Sequence, residues 1–302
     1  MTPAARPFRV EAVAFEDGLP ALRAVRDTVF VQEQGVPVEL EHDALDPLCR
    51  HVIARDADGQ PIGTGRLTPE RRIGRMAVLA QWRGRGVGEA MLQALIDEAR
   101  GLGWRELSLH AQASAIAFYA RHGFLPFGSR FVEAGLEHQS MRCLLDAVNP
   151  VEDHEAALAA LLGVIAGARR HLWAYSRELD PGLLDRPEAV AALRRFAVDG
   201  GETRLLLQDP AAPQRAIAPL LGLAQRLPTA FAFRAIEEPV DRSYPSAYIA
   251  NDRGGWYFRA LGHRFEGESR LDAPARARQL RALFEPVWER ARPCSEYRAL
   301  GL

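Results

Sequence analysis

The stretch Gly74–Leu102, GRMAVLAQWRGRGVGEAMLQALIDEARGL, is the part of the chain with the fewest ways to fold. Its first residues, Arg75 to Leu79, read as a short apolar strand. Arg83-Gly84-Arg85-Gly86-Val87-Gly88 reads as a tight turn. In the segment that follows, Met91, Leu92, Leu95, Ile96 and Ala99 recur at helical spacing and mark a buried face. Glu89, Gln93, Asp97, Glu98 and Arg100 take the opposite face, and Gly101 and Gly103 mark the stop. A glycine turn that opens a helix makes an anion site. The first helical N–H groups have no partner within the helix, and the helix dipole adds positive potential there. Glycine lets a phosphate approach the backbone closely, and Arg83 and Arg85 add guanidinium forks suited to phosphate oxygens. The spacing predicts a pyrophosphate cradle.

The type of cradle can be narrowed. A P-loop ends in Gly-Lys-Ser/Thr, and this chain has no lysine: all 38 basic residues are arginine. That bias reads as a habit of GC-rich, bacterial-type codons. A dinucleotide fingerprint needs a third glycine where Glu89 stands. The pattern that does fit is Q-x-x-G-x-G, running from Gln81 through Gly84 and Gly86, with Gly88 after it. It resembles the coenzyme A loop of the GNAT superfamily of N-acetyltransferases, with strand and helix in the positions that family requires.

Upstream, Phe8–Phe15 reads as a strand with Phe8, Val10 and Ala12 on one face. Leu19–Gln34 reads as a helix with Leu22, Val25, Val29 and Phe30 inward, ended by Gly35. The run Val29–Pro37, VFVQEQGVP, resembles the signature of the ElaA-like branch of that family. Gly35–Pro47 carries Glu39, Glu41, His42, Asp43 and Asp46. It reads either as a solvated acidic loop or as a lip that attracts a cationic amine. Arg50–Arg55 and Pro61–Leu67 are strands leading into the Arg75–Leu79 strand. After the long helix come a strand at Glu106–Ala111, a short helix at Ala115–His122, and final strands at Phe124–Phe131 and Gln139–Leu145. Residues Ala117–Phe124 resemble the family segment A-x-x-F-Y-x-x-x-G-F. Many members place an asparagine early in that helix, where Ser114, Ala115 and Ile116 stand here.

The resemblance implies an acetyl-CoA-dependent N-acyltransferase working by direct attack of a primary amine on the thioester. It places the pyrophosphate on Arg83, Gly84, Arg85, Gly86, Val87 and Gly88, and pantetheine along the backbone of Met76, Ala77 and Val78. Tyr119 falls where the family carries its general acid, and a phenol can protonate a departing thiolate. For the base, Glu33, Glu41, Asp43, His110, His138 and a water chain ending on a carboxylate stay open. No metal is expected: Cys49, Cys143 and Cys294 are too far apart in sequence to form a ligand set or a disulfide framework.

At 302 residues the chain is long enough for about two domains. We expect an α/β GNAT-fold domain with a mixed central sheet over residues 1–148 and a second α/β domain over 151–302. The second half reads as helices at Glu155–Arg169, Pro187–Val198, Ala216–Leu227 and Ala273–Arg292. Strands fall at Arg170–Ser176, Glu202–Leu207, Ala230–Ala235, Tyr248–Asn251 and Gly255–Arg259. The alternation suggests a mostly parallel sheet. This half resembles one lobe of the phospholipase D superfamily stripped of its chemistry. In H-x-K-x-x-x-x-D, Pro245 and Ala247 replace His and Lys, and Asp252 alone survives. Ser176, Asp180, Asp209 and Asp252 follow strand ends, either as ligand contacts or as caps and turn residues. The half lacks a second Q-x-x-G-x-G loop. Its roles left open are presenting the acceptor, regulating, or forming a homodimer. The alternative to an enzyme is a non-catalytic acetyl-CoA sensor acting through this half.

The net charge of -1 gives no general attraction to nucleic acid or anionic lipid. The first residues lack an apolar signal core, and the longest apolar run, Ala156–Ala168, falls short of the roughly 20 residues of a membrane span. A cytoplasmic protein acting on a small-molecule or protein amine is the expectation.

Overall fold

The computed structural model describes residues 7–210, 218–294 and 297. By contact the chain divides into two compact units, Met1–Ala113 with Gly128–Asp146, and Ser114–Phe127 with Ala147–Leu302. The expected single cut near 148–151 therefore takes one exception: the short segment carrying Tyr119 groups with the later residues.

The first unit begins with β1 (Phe8–Val13) and α1 (Phe15–Arg26). Leu22 and Val25 are buried on α1, one turn apart. The helix starts earlier than its apolar spacing suggests and continues as a π-helical stretch, Asp27–Glu33. That wider turn keeps Val29 against Val25 and Ala77, with Phe30 and Leu79 packed around them. Gly35 then turns the chain with a φ of 70°. A one-turn helix, α2 (Val38–Glu41), leads to β2 (Arg50–Asp56), β3 (Pro61–Leu67) and β4 (Arg72–Val78). Next come α3 (Val87–Gly101) and β5 (Glu106–Gln112).

The chain then passes through α4 (Ile116–Ala120) and β6 (Leu125–Pro126), both in the segment grouped with the second unit. It returns as β7 (Phe131–Glu133) and β8 (Leu136–Leu144). The strand order of the first unit is β1-β2-β3-β4-β5-β8, with β7 on β8. Neighbours are antiparallel except β4 and β5, which run parallel. The sheet is mixed, as expected.

Helix α3 buries Val87, Met91, Leu92, Leu95, Ile96 and Ala99, the face its spacing marked. It packs on β2, β3 and β4. Gly63 on β3 makes that approach close: a Cβ there would meet the Met91 sulfur at 2.9 Å.

Three irregularities mark β4. Thr64 pairs with Ala77 and Arg66 with Gly74, so two residues, Arg75 and Met76, oppose Gly65 alone. This is a β-bulge, and it bends and re-aims the strand. Arg75 takes a φ of 50°, a left-handed conformation costly for a side chain with a Cβ. The parallel pairing of β4 with β5 covers Arg72 with Ser108 and Ile73 with Leu109 and then stops. From Gly74 to Val78 the β5 side of the strand carries no partner strand among the described residues.

The second unit adds β9 (Asn149–Val151), α5 (His154–Gly167), β10 (His171–Ser176), α6 (Pro187–Val198) and β11 (Glu202–Leu207). It continues with α7 (Ala218–Arg226), β12 (Phe231–Ala235), α8 (Pro239–Arg242), β13 (Ala247–Asn251) and β14 (Trp256–Arg259). It closes with β15 (Gly267–Arg270), α9 (Pro274–Arg290) and β16 (Arg292–Pro293). The sheet order is β16-β12-β11-β10-β13-β14-β15-β9.

Parallel pairing is confined to β10–β11 and β11–β12; the other five neighbouring pairs are antiparallel. The expectation of a mostly parallel sheet is therefore corrected to a mixed one. Consecutive β13, β14 and β15 return by short turns, which forces antiparallel pairing. The start of the expected helix at Ala216 lies outside the described residues.

Trp173, Tyr175, Tyr248 and Trp256 share a core with Leu280, Phe284, Val287 and Trp288 of α9. Helix α5 is buried at every position from Ala156 to Ile165, as suits a helix apolar all round. Asp153 caps it, accepting from the Ala156 N–H at 2.8 Å.

Candidate functional site

The coenzyme-loop residues meet in the first unit. Gly84 and Gly86 have φ values of 73° and 82°, so the turn is left-handed at both positions. A Cβ added to either would find nothing within 4 Å, which leaves the loop's outer face open to a ligand. Gly86 is the N-cap of α3, and no side chain caps that helix end. The helical ladder starts with the Ala90 N–H donating to the Gly86 carbonyl at 3.0 Å. The amides of Val87, Gly88 and Glu89 precede it, where a helix offers its N–H groups no partner of its own, at the positive end of a four-turn helix.

The two loop arginines differ. The Arg83 guanidinium folds back, donating to the Val78 carbonyl at 2.9 Å and pairing with Glu33. Arg85 lies over the Trp82 ring, 5.1 Å from its centroid. Of the expected pair, Arg85 is the one whose charge is not met by a carboxylate among the described residues. Arg83 instead ties the loop to β4 and to the π-helical stretch. Met76, Ala77 and Val78 lie on the stretch of β4 that has β3 on one side and, among the described residues, no strand on its β5 side. Ala77 is buried in the core, and Met76 and Val78 are half-buried.

The acidic segment is solvated only in part: Glu39 is exposed, and His42 and Asp43 are half-buried. Glu41 and Asp46 are buried, as are Arg26 and Arg66. Arg26 pairs with Glu41 and with Asp46, the latter at 2.9 Å. Arg66 reaches Asp46 at 2.6 Å and Asp43 at 2.8 Å. Arg75 donates to the backbone carbonyls of Leu40 and Glu41 and lies 3.3 Å from carboxylate oxygens of Glu41 and Asp43. These bonds offset the strain of its left-handed backbone. Burial alone would push the Asp46 carboxyl up; hydrogen bonds from Arg26 and Arg66 outweigh it and hold it below its usual range. The His51 Nε2–H donates to the Asp46 carbonyl, 2.8 Å away, and burial depresses the pKa of the ring.

The sequence reading missed Arg26, Asp46 and Arg66 as a network. Yet Arg26 sits four residues after Leu22, on the apolar face of α1, and Arg66 lies in a strand buried along nearly its whole length. A charge on a buried face calls for a partner.

Every residue considered as base has a contact already. Glu33 holds Arg83, and Glu41 and Asp43 hold arginines. His110 lies 3.2 Å from Glu133, and His138 lies 2.9 Å from the Leu136 carbonyl. Tyr119 stands in α4, buried, its ring 5.0 Å from Phe118 and 6.1 Å from Phe124. Burial pushes its hydroxyl up to about 12. Ser114 lies in a single 3-10 turn, Ala113–Ala115, just before that helix.

In the second unit Asp252 accepts from the backbone N–H groups of Arg169 and Arg170 at 2.8 and 2.9 Å. It acts as a turn clamp. Ser176 donates to Asp180, which pairs with the buried Arg259 at 2.6 Å.

A mixed sheet that opens between two parallel strands, with a bulged strand feeding a glycine turn and a capless helix, defines an α/β domain of the GNAT architecture. Comparison with known proteins agrees. Residues 19–145 match the family described as an acetyltransferase (GNAT) domain, and residues 153–300 match a domain of unknown function, DUF7931. An uncharacterized N-acetyltransferase, YjcF, of Bacillus subtilis is 36% identical over 121 residues, covering 39% of this chain and 86% of the relative.

Two solved structures are also similar. An acyl-CoA N-acyltransferase from Pseudomonas aeruginosa shares 30% identity, covering 45% of this chain and 99% of that one, with a TM-score of 0.42. Escherichia coli ElaA shares 25% identity with the same coverage and a TM-score of 0.41. Through its first half the chain belongs to the GNAT acetyltransferases. The match of the second half is to a domain without assigned activity, so the phospholipase D resemblance gains no support from it. No helix among the described residues is long and apolar enough to cross a membrane.

Proposed function

We propose that the first unit transfers an acetyl group from acetyl-CoA to a primary amine by direct attack of the amine on the thioester. The observation that carries this is the Gly84–Gly86 turn: two left-handed glycines, open on their outer face, at the uncapped N-terminus of α3. The pyrophosphate would sit on the amides of Gly86, Val87 and Gly88, with Arg85 above and Arg83 bracing the turn. Pantetheine would run along Met76, Ala77 and Val78, whose β5 side has no strand to pair with among the described residues. An extended amide-bearing chain can add there as a strand would. Tyr119, placed by its motif, would protonate the departing thiolate.

Thiol release from acetyl-CoA, followed across a panel of polyamines, amino acids, aminated metabolites and peptide N-termini, tests the reading. Amine-dependent release is the expected result. Tight acetyl-CoA binding with no release for any amine would favour the alternative, a sensor acting through the second unit. Gly86→Glu tests the loop itself. A glutamate at a φ of 82° is strained, and it puts a negative charge beside the pyrophosphate. Calorimetry should show acetyl-CoA binding lost in a folded variant; unchanged affinity would remove the loop from the site.

A further inference from the structure

We propose a divalent transition-metal site built from Asp27, Glu41 and His42. Asp27 opens the π-helical stretch, Glu41 ends α2, and His42 follows it. One donor atom from each residue falls in a group whose members all lie within 4.8 Å of one another. The His42 Nε2 is 3.2 Å from Asp27 Oδ1 and 3.3 Å from Glu41 Oε2. Bonds of about 2.0–2.1 Å at a tetrahedral zinc centre place neighbouring donors about 3.3–3.4 Å apart, so the two separations match tetrahedral edges. An imidazole with two carboxylates and a fourth position left to water suits Zn²⁺ or a similar ion.

The second observation is Glu41 Oε2. The Glu41 side chain is 1% exposed, and this oxygen has no hydrogen-bond partner among the described residues. Its other oxygen is occupied by Arg26 and Arg75. A protonated Nε2 can give its one hydrogen to Asp27, which leaves Glu41 Oε2 buried and unmatched, a costly arrangement. A cation shared by all three donors satisfies every one of them. The side chains of His42 and Asp27 are 33% and 41% exposed, so an ion has a way in from solvent. Bound there, it would clip α2 to the π-helical stretch. This site does not depend on the acyl-transfer reading.

The test uses the full chain, stripped with a chelator and titrated with Zn²⁺ by calorimetry. One equivalent should bind, and both Asp27→Asn and His42→Ala should weaken it by more than about 10-fold. Asp27→Asn keeps the side chain's shape at a half-buried position, and circular dichroism checks that it folds. The Co²⁺ form of the unmutated chain gives a reading free of any variant: an intense visible band from a low-coordinate centre is expected. No Zn²⁺ binding by the unmutated chain, retained binding in either folded variant, or a weak octahedral Co²⁺ spectrum would overturn the site.

Discussion

At Tyr119 burial and chemistry pull in opposite directions. A hydroxyl pushed up to about 12 keeps its proton through the whole neutral range, which a general acid needs. The same burial makes it a weaker acid. We expect Tyr119→Phe to leave the acetyl-CoA Kd unchanged and to lower kcat by about 10²-fold, the low end for loss of a general acid. The alkaline limb of the pH profile should not move, since this phenol does not titrate there. Unchanged kcat in a folded variant would leave the hydroxyl a packing group only. Residues with a special backbone, such as the left-handed Gly84 and Gly86, were legible in the sequence as a turn. Arg75 was not: its left-handed φ depends on a bulge set by pairing with β3 and on carbonyls of the acidic segment.

Among the elements, α3 was the easiest to read, because one strong helical period decides both its existence and its buried face. The π-helical continuation of α1 could not be read, since its apolar positions fit an α-helix almost equally well. Strands of two to four residues such as β9, β15 and β16 carry too few positions to show a period. The burial of Glu41 and Asp46 was hidden for a different reason: charges read as exposed by default, and these two are covered through arginines on α1, β3 and β4. Asp46 ties two of these elements together.

Asp46→Ala should cost about 3 kcal/mol, the low end for breaking a buried pair, because Arg26 and Arg66 each keep a second carboxylate. Chemical denaturation measures it, and a loss near zero would mean the network contributes nothing net. Its pH dependence has a definite sign. The folded Asp46 carboxyl titrates below its unfolded value, so its contribution is present above that value and is lost as pH falls through the folded pKa. His51 acts in the same direction. Its pKa is depressed, so the unfolded chain takes up the proton first as pH drops below about 6.5, and stability falls. Stability should decline from about pH 6.5 downward, and His51→Phe should blunt the first part of that decline.

For the whole molecule, the second unit carries a matching weakness at high pH. Tyr119 and Tyr175 are pushed up to about 12 by burial, and Tyr248 and Tyr257 higher still. Unfolded tyrosines release protons near pH 10 while the folded ones hold theirs, so the unfolded state is favoured as pH rises past about 10. Melting temperature should drop steeply there, and a flat profile would mean these hydroxyls reach solvent.

The interleaving of the two units leads to the final prediction. Segment Ser114–Phe127 lies inside the family match yet groups with residues after Ala147. Within the second unit, α4 and β6 pack on α5, and a Cβ at Gly163 of α5 would come within 2.9 Å of the Ala120 carbonyl. Tyr119, Ala120, Phe124 and Leu125 are all buried. No local period in so short a stretch could have disclosed this, because its partner helix lies about 30 residues or more further along the chain. A fragment ending at Asn149 keeps the coenzyme loop, α3 and the seven strands of the first unit but loses α5. It should still bind acetyl-CoA. It should also melt below the full chain, bind a hydrophobic dye, and lose turnover more than it loses affinity, because α4 carries the proposed acid and has lost its support. Equal melting temperature and equal kcat would mean the segment stands without α5, and that the second unit is dispensable for the chemistry.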